Sequence, residues 1–501
     1  MTLADWTICA AYLAGAMTLG VVVSRRLKTG GDYFLAGRSM GWLPVGLSVM
    51  VTLFSAVNYT AFPNEVAGHG CYVLLVLPAF LFVWPPVARV FIPFFHDMRL
   101  LSAYEYLERR FDVRARRLAS ALFIGWRLLW MATALYATCR ALSFLTGMPY
   151  WALLLLAGVV TVAYTTTGGM KAVMWTDVAQ FAVLFGGIVA AVAVAVARAQ
   201  GGLGGLLSAS AQAGLFRPFH PFDASMFSLN PSMRISLWSA WIGASVAFLA
   251  RYGADQVTVQ RYFAARSLAH ARRGFGLNIL AALATMSLLA VMGLAVHAHG
   301  ASAGAAAKGW PAMKLFASFV SSLPWGMAGL IVAGLMAATM SSLDSGMNSC
   351  AAAFASDLAP IFGAKPALED DASAARRGRW TTLVFGALAI GLAFGVAALR
   401  QTVFELANVV VNAFGSPLLG LFLAAMFSRR VNAAGALAGG AIGAAWSLAS
   451  VLLAPKMSLH YYAVLNLAVT MVVCWGASLG WGGRPSAGQL AWTWKGRRGG
   501  R

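Results

Sequence analysis

Apolar stretch after apolar stretch in this chain exceeds the roughly 18 residues needed to cross a hydrocarbon core. That length constrains everything else. Inside a bilayer no water satisfies backbone N–H and C=O groups, so a spanning segment is a helix or part of a closed barrel. The runs lack the period-two alternation of barrel strands. The chain therefore reads as an all-α polytopic membrane protein. Thirteen transmembrane helices are expected, at 5–25, 43–66, 73–95, 118–146, 150–167, 172–198, 234–263, 272–298, 326–357, 380–399, 403–427, 433–454 and 460–481.

The net charge of +21 would point to nucleic acid in a soluble protein. Here the basic residues sort by loop parity, and no nucleic-acid partner is expected. One side carries Arg25, Arg26, Lys28 and Arg38, then Arg99, Arg109, Arg110, Arg114, Arg116 and Arg117, then Lys171. It continues with Arg261, Arg266, Arg272, Arg273, Lys365, Arg376, Arg377, Arg379, Arg429 and Arg430, and ends in a tail with Arg484, Lys495, Arg497, Arg498 and Arg501. The other side has Arg217, Arg234, Lys308, Lys314, Arg400 and Lys456. This imbalance of 26 to 6 puts the N-terminus outside and the C-terminus in the cytoplasm. An odd number of spans is then required, which thirteen satisfies.

Five cysteines, Cys9, Cys71, Cys139, Cys350 and Cys474, lie in or beside apolar runs without paired spacing. They read as small core residues. Asp5 and the lack of a basic leader argue against a cleaved signal peptide. Residues 199–233 form an external loop, and 102–110 a short interfacial helix on the cytoplasmic side. No Walker A loop, zinc motif or nucleophile elbow occurs, so the chain is not expected to be an enzyme or to hydrolyse nucleotide for transport.

The most unusual stretch is 334–358, apolar at its flanks and polar in the middle. Ser341, Ser342, Asp344, Ser345, Asn348 and Ser349 fall within nine residues. At helical spacing Ser341 and Ser345 share a face, with Ala338 one turn before and Asp344 beside them. Such a face offers oxygen ligands for a hard cation. Small-residue helix packing would also use serines, but an ionisable group at membrane depth marks function. The second span carries Ser55, Asn58 and Thr60 at mid-membrane and Pro63 beyond them. Two readings stand for it: a proline kink near the helix end, or a broken helix lining a cavity, with the carbonyls of Val51 and Phe54 facing the serines.

Four motifs now converge. They are Gly31-Asp-Tyr-Phe-Leu-Ala-Gly-Arg-Ser-Met-Gly-Trp, Thr165-Thr-Thr-Gly-Gly-Met-Lys-Ala-Val-Met-Trp-Thr-Asp-Val-Ala-Gln, Asp255-Gln-Val-Thr-Val-Gln-Arg-Tyr and Ser341-Ser-Leu-Asp-Ser-Gly-Met-Asn-Ser. Together the sequence resembles the sodium/solute symporter family, which includes sodium–glucose, proline, pantothenate and iodide carriers. The resemblance implies a LeuT-like core of five plus five helices in inverted repeat, with ion and solute at the midplane. The transport core would be 41–427, with repeats at about 41–198 and 234–427. Outside it lie the first helix and loop (1–40), two peripheral helices (428–482) and a basic tail (483–501).

By the same resemblance, the main sodium site uses carbonyls of Val51, Phe54 and Ala338 with hydroxyls of Ser341 and Ser342. A second sodium site would use Asp177, Ser345 and shared Ser341. Asp344 either strengthens that site or pairs with a basic side chain. Substrate contacts are expected from Ser55, Asn58 and Tyr59. Val57 and Asn58 stand where the sugar carriers have a glutamate–glutamine pair, which counts against a sugar. Arg127 lies ~15 Å into the fourth span. It pairs with an acid such as Asp177, snorkels to the interface, or receives a carboxylate substrate.

The expected function is sodium-coupled import of a small organic anion such as a monocarboxylate, with the lipid bilayer and the solute as partners and no obligate protein partner. The rivals are proton coupling through Asp177 or Asp344, a sugar or amino-acid symporter of the same fold, a channel, and a sensor without transport. The serine–aspartate cluster disfavours a channel. The roughly 20 residues after the last span are too few for a kinase domain.

Overall fold

The computed structural model describes residues 1–24, 29–98, 100–217, 224–233, 235–304, 310, 312–364, 372–396, 403–453, 457–458 and 460–499. Arg25, Arg26, Lys28, Arg99, Arg234, Lys308, Lys365, Arg400, Lys456 and Arg501 lie outside the described residues, as do parts of the 199–233 loop and the ends of the tenth and twelfth expected spans.

Every expected span has a helical counterpart. They are α1 (Leu3–Ser24), α2 (Trp42–Leu53), α3 (Ala56–His69), the segment Cys71–His96, α4 (Val113–Thr146), α5 (Tyr150–Arg198), α6 (Ala244–Gly253), α7 (Gln256–Ala264), α8 (Leu268–Ala303), α9 (Met327–Ala353), α10 (Ala372–Val396), α11 (Val403–Phe427), α12 (Ala433–Leu453) and α13 (Tyr461–Gly480). By length and composition, nine helices among the described residues can cross a membrane, or ten when the bent pair α2–α3 counts as one.

Helix α5 has 49 residues, about 74 Å at helical rise and more than twice a bilayer core. It divides at Gly169, between the two spans read from sequence. Gly169 has φ 55° and ψ −174°, a combination that only glycine adopts readily, and a Cβ there would lie 2.9 Å from the Tyr33 carbonyl oxygen.

Helix α9 sits at the centre. Of its most apolar 18-residue stretch, 83% is buried in protein, against 17% for α1. A helix shielded from lipid can carry hydroxyls and carboxylates, because protein partners satisfy them. Two helices are broken beside it. The α2–α3 pair bends by 61° at Phe54–Ser55, and α6–α7 is interrupted at Ala254–Asp255. The breaks are built alike. Ser55 Oγ accepts from Val57 N–H at 3.2 Å, and Asp255 Oδ1 from Val257 N–H at 3.1 Å. Asn58 and Tyr59 N–H return to the Ser55 carbonyl, as Thr258 and Val259 N–H return to that of Asp255. A short polar residue thus starts each second half-helix, as N-cap preference dictates. Helix α2 crosses α8 at paired glycines; a Cβ on Gly46 would come within 2.4 Å of the Gly274 carbonyl oxygen.

Three stretches add detail to the reading above. Pro63 does not break the second span. It lies inside α3, and the interruption is nine residues earlier. The 102–110 stretch packs against the protein. Its helix, Glu105–Arg110, buries Tyr106, Leu107 and Arg110. Arg110 donates to the carbonyls of Ala425, Ser428 and Val431 at 2.8–3.1 Å, closing the end of α11, and Tyr106 Oη donates to Trp492 O at 3.2 Å. The 199–233 loop includes a helix, Gly202–Gln212. All five cysteines are buried and free.

Gly169→Ala is expected to destabilise the fold by about 1–3 kcal/mol, read as a lower unfolding midpoint in detergent. Gly186→Ala, whose Cβ meets nothing within 4 Å, serves as the neutral comparison.

Candidate functional site

The α2–α3 break releases backbone acceptors. Phe54 N–H still donates to Met50 O at 2.9 Å, but the following donors fold onto Ser55. The carbonyls of the last turn of α2 therefore lack helical partners. Helix α9 presents its serines to this turn. Ser342 Oγ donates to Thr52 O at 3.1 Å, and Ser341 Oγ donates to Asp177 Oδ1 at 2.5 Å. Both serines, Ala338, Val51 and Phe54 are buried. The pattern has a chemical consequence. A hydroxyl whose proton is directed elsewhere keeps its lone pairs for a cation. Thr52 O takes the proton of Ser342 and Asp177 that of Ser341, which leaves both oxygens suited to coordinate.

The set Asp177, Ser341, Asp344 and Ser345 also comes together, but a guanidinium lies among these oxygens. Arg261, counted above among the cytoplasmic loop charges, is fully buried on α7. Its Nη2 donates to Asp177 Oδ2 at 3.1 Å, Thr52 Oγ1 at 2.7 Å and Ser345 Oγ at 2.5 Å. Its Nε donates to Ser48 Oγ at 2.6 Å and its Nη1 to the Val257 carbonyl at 2.7 Å. Ser48 also donates to Asp177. Among the described residues, no basic side chain pairs with Asp344. It accepts from Tyr164 Oη at 2.7 Å and Ser345 Oγ at 3.2 Å.

Arg127 pairs with Asp255, not Asp177. Its Nε donates to Asp255 Oδ1 at 3.1 Å, its Nη2 meets Asp255 Oδ2, and both side chains are buried. The guanidinium is thus committed to the cap of the second broken helix; of the readings given above, the structure has the one that pairs it with an acid, though a different acid from Asp177. Two further expected substrate contacts are redirected. Ser55 caps α3, and the buried Tyr59 hydroxyl faces Gly187 and Gly334, where added Cβ atoms would lie 3.4 and 3.2 Å from it. Asn58 faces a cavity of ≈ 30 Å³, which it lines with Phe54 and whose other walls include Phe80, Phe248, Arg251 and Asn278.

Sequence reasoning missed Arg251, Asp255, Arg261, Asn278, Ser48 and Thr52. Arg251 carried a usable signal, a basic residue well inside an apolar run. Arg261 and Asp255 carried one as well, since both lie in the Asp255–Tyr262 motif, but Arg261 sits at a span end close to Arg266 and reads as a loop charge.

Arg261→Gln is expected to leave Asp177 buried without its counter-charge, at a cost of about 3–5 kcal/mol. Adding Asp177→Asn recovers part of that loss. Unfolding midpoints of the two single variants and the double variant give the coupling directly.

With this geometry in place, the comparisons with known proteins can be stated. The profile described as "Sodium:solute symporter family" matches residues 33–443. The sodium-coupled monocarboxylate transporter 1 of Xenopus laevis is 32% identical over 431 residues, covering 84% of this chain and 67% of that protein. The sodium/sialic acid symporter NanT of Aliivibrio fischeri is 30% identical over 470 residues, covering 92% and 90%. A solved sodium-coupled sialic acid symporter, in a substrate-bound outward-open state, superposes with a TM-score of 0.86 at 25% identity, over 96% of this chain and 99% of that one. MhsT in complex with L-phenylalanine, at a TM-score of 0.55 and 15% identity, shares the fold, over 86% and 98%. On the extent of these matches the chain belongs to the sodium:solute symporter family, a family of transporters, not enzymes.

Proposed function

We propose that the protein imports a small organic anion together with sodium, by alternating access across a cell membrane. The observation that carries this reading is the α2–α3 break, set against Ser341 and Ser342 at the buried centre of the protein. Unwound carbonyls opposite hydroxyls suit a weakly charged hard cation, since they supply oxygen dipoles without a charged ligand at membrane depth. Sodium is assigned to the carbonyls of Val51, Phe54 and Ala338 and the hydroxyls of Ser341 and Ser342. The second set already holds a positive charge in Arg261, so one sodium per solute is assigned. The relatives named above are monocarboxylate and sialic acid transporters. Both solute types carry a carboxylate at neutral pH, which supports the anion class.

The repeats are assigned to about 41–198 and 234–427, because each opens on a broken helix with the same capping pattern. The basic-residue asymmetry supports an external N-terminus and a cytoplasmic C-terminus.

Uptake into proteoliposomes tests the reading. It is expected to require an inward sodium gradient, to fail with potassium, and to depend on sodium without cooperativity. Ser342→Ala removes one of about five oxygen ligands and is expected to abolish most uptake while the protein still folds. Equal uptake in potassium, or a fully active Ser342→Ala protein, argues against this site. A sigmoidal sodium dependence argues for a second ion.

A further inference from the structure

Arg127, Arg251 and Arg261 lie on helices that meet at the two breaks. Arg261 has Asp177 and Arg127 has Asp255. Arg251 stands in the last turn of α6, just before the second break. Its described contact is the face of Trp130, 5.2 Å from guanidinium carbon to ring centroid, and no carboxylate among the described residues pairs with it. It is also incompletely buried, whereas the other two guanidiniums are sealed in. A cation without a counter-charge in this setting is costly, and Arg251 lines the cavity beside Phe54 and Asn58.

A second observation points the same way. Asn278, on α8, lines the same cavity and is fully buried, with neither its amide nitrogen nor its oxygen in a hydrogen bond. The Tyr252 hydroxyl beside it interacts with the amide, but outside the geometry of a full hydrogen bond. Buried amides without partners are uncommon and demand an explanation. A guanidinium and an amide N–H₂ on one cavity wall are donors matched to the oxygens of a carboxylate.

Size adds a constraint. The cavity of ≈ 30 Å³ has room for about two water-sized groups, comparable to the oxygens of one carboxylate. Phe80 and Phe248, stacked with ring centroids 4.2 Å apart, form part of its wall. Any chain on the acid must fit where these rings separate.

We infer that Arg251 and Asn278 receive the carboxylate of the transported solute, and that the confined space beside them selects short-chain acids over bulky ones. The inference rests on the anion-import reading above and deepens it. The role expected of Arg127 passes to Arg251 because Asp255 already occupies Arg127.

The test uses the full-length protein in proteoliposomes with an inward sodium gradient, and labelled lactate, butyrate and N-acetylneuraminate as probes. Wild type is expected to favour the two short acids. Arg251→Gln is expected to raise the half-saturating lactate concentration about tenfold or more, the worth of a charge-assisted hydrogen bond. Asn278→Asp supplies a competing carboxylate on the same wall and is expected to do the same, so the test does not depend on one variant folding. Wild-type lactate affinity in either folded variant overturns the assignment of Arg251 and Asn278. A wild-type preference for N-acetylneuraminate overturns the size selection. If wild type takes up none of the acids with sodium, the anion reading itself fails.

Discussion

The Arg261 guanidinium is the interaction on which the centre of this protein depends. Its donors reach Ser48 and Thr52 on α2, Asp177 on α5, Ser345 on α9 and a carbonyl of its own helix α7. One planar group thus fixes where four helices meet. Replacing a buried ion pair by packed apolar groups often costs nothing, so net stability is a poor reason for its presence. Position is a better one. A fork of fixed geometry at low dielectric holds α2 in register with α9, and that register sets Ser341 and Ser342 against the break. Arg127 and Asp255 do the same for the second break, joining the N-cap of α7 to α4.

The two pairs also answer a problem created by the breaks. Unwinding a helix in a bilayer strands backbone groups that lipid cannot satisfy. Here the stranded groups lie in protein, and polar side chains cap them locally: Ser55 and Asp255 at the starts of the second half-helices, and Ser342 at the Thr52 carbonyl. What remains open is a small number of oxygens facing inward. A coupling ion needs that condition, and a merely structural kink would not leave it.

Much of this was legible in the sequence, and the reason is physical. Bilayer thickness imposes a length on every span, so the all-helical membrane class and the places of the helices followed from apolar runs, while the count of thirteen exceeds the nine or ten helices that qualify by length and composition among the described residues. The serine–aspartate cluster stood out because polar residues are expensive there. The first break was expected with its free carbonyls at Val51 and Phe54, and the rival reading, a kink at Pro63, does not hold. The break is set by Ser55, whose side chain competes for a backbone N–H, whereas Pro63 is absorbed within α3. Pairing was hidden because it depends on tertiary geometry. Nothing along the chain says that Arg127 meets Asp255, 128 residues away, instead of Asp177. Arg261 was concealed by its company: near a span end and followed by Arg266, it has the local signature of a loop charge although the fold buries it completely.

Coupling follows from the way one backbone segment serves both proposed ligands. The Phe54 carbonyl is assigned to sodium, while the Phe54 side chain lines the cavity with Asn58 a turn further on. Carbonyls that point to one spot repel one another unless a cation lies between them. A bound cation draws them together and so fixes where Phe54 and Asn58 stand. A solute that fits only this arrangement binds more tightly once the ion is present. Linkage requires the converse, that the solute raises affinity for sodium by the same factor. On the proposed assignment the solute's charge contributes little directly, because Arg251 would neutralise it within the cavity. The coupling is therefore conformational, carried by the few unwound residues between α2 and α3, and its size is limited by how far the ion narrows their freedom.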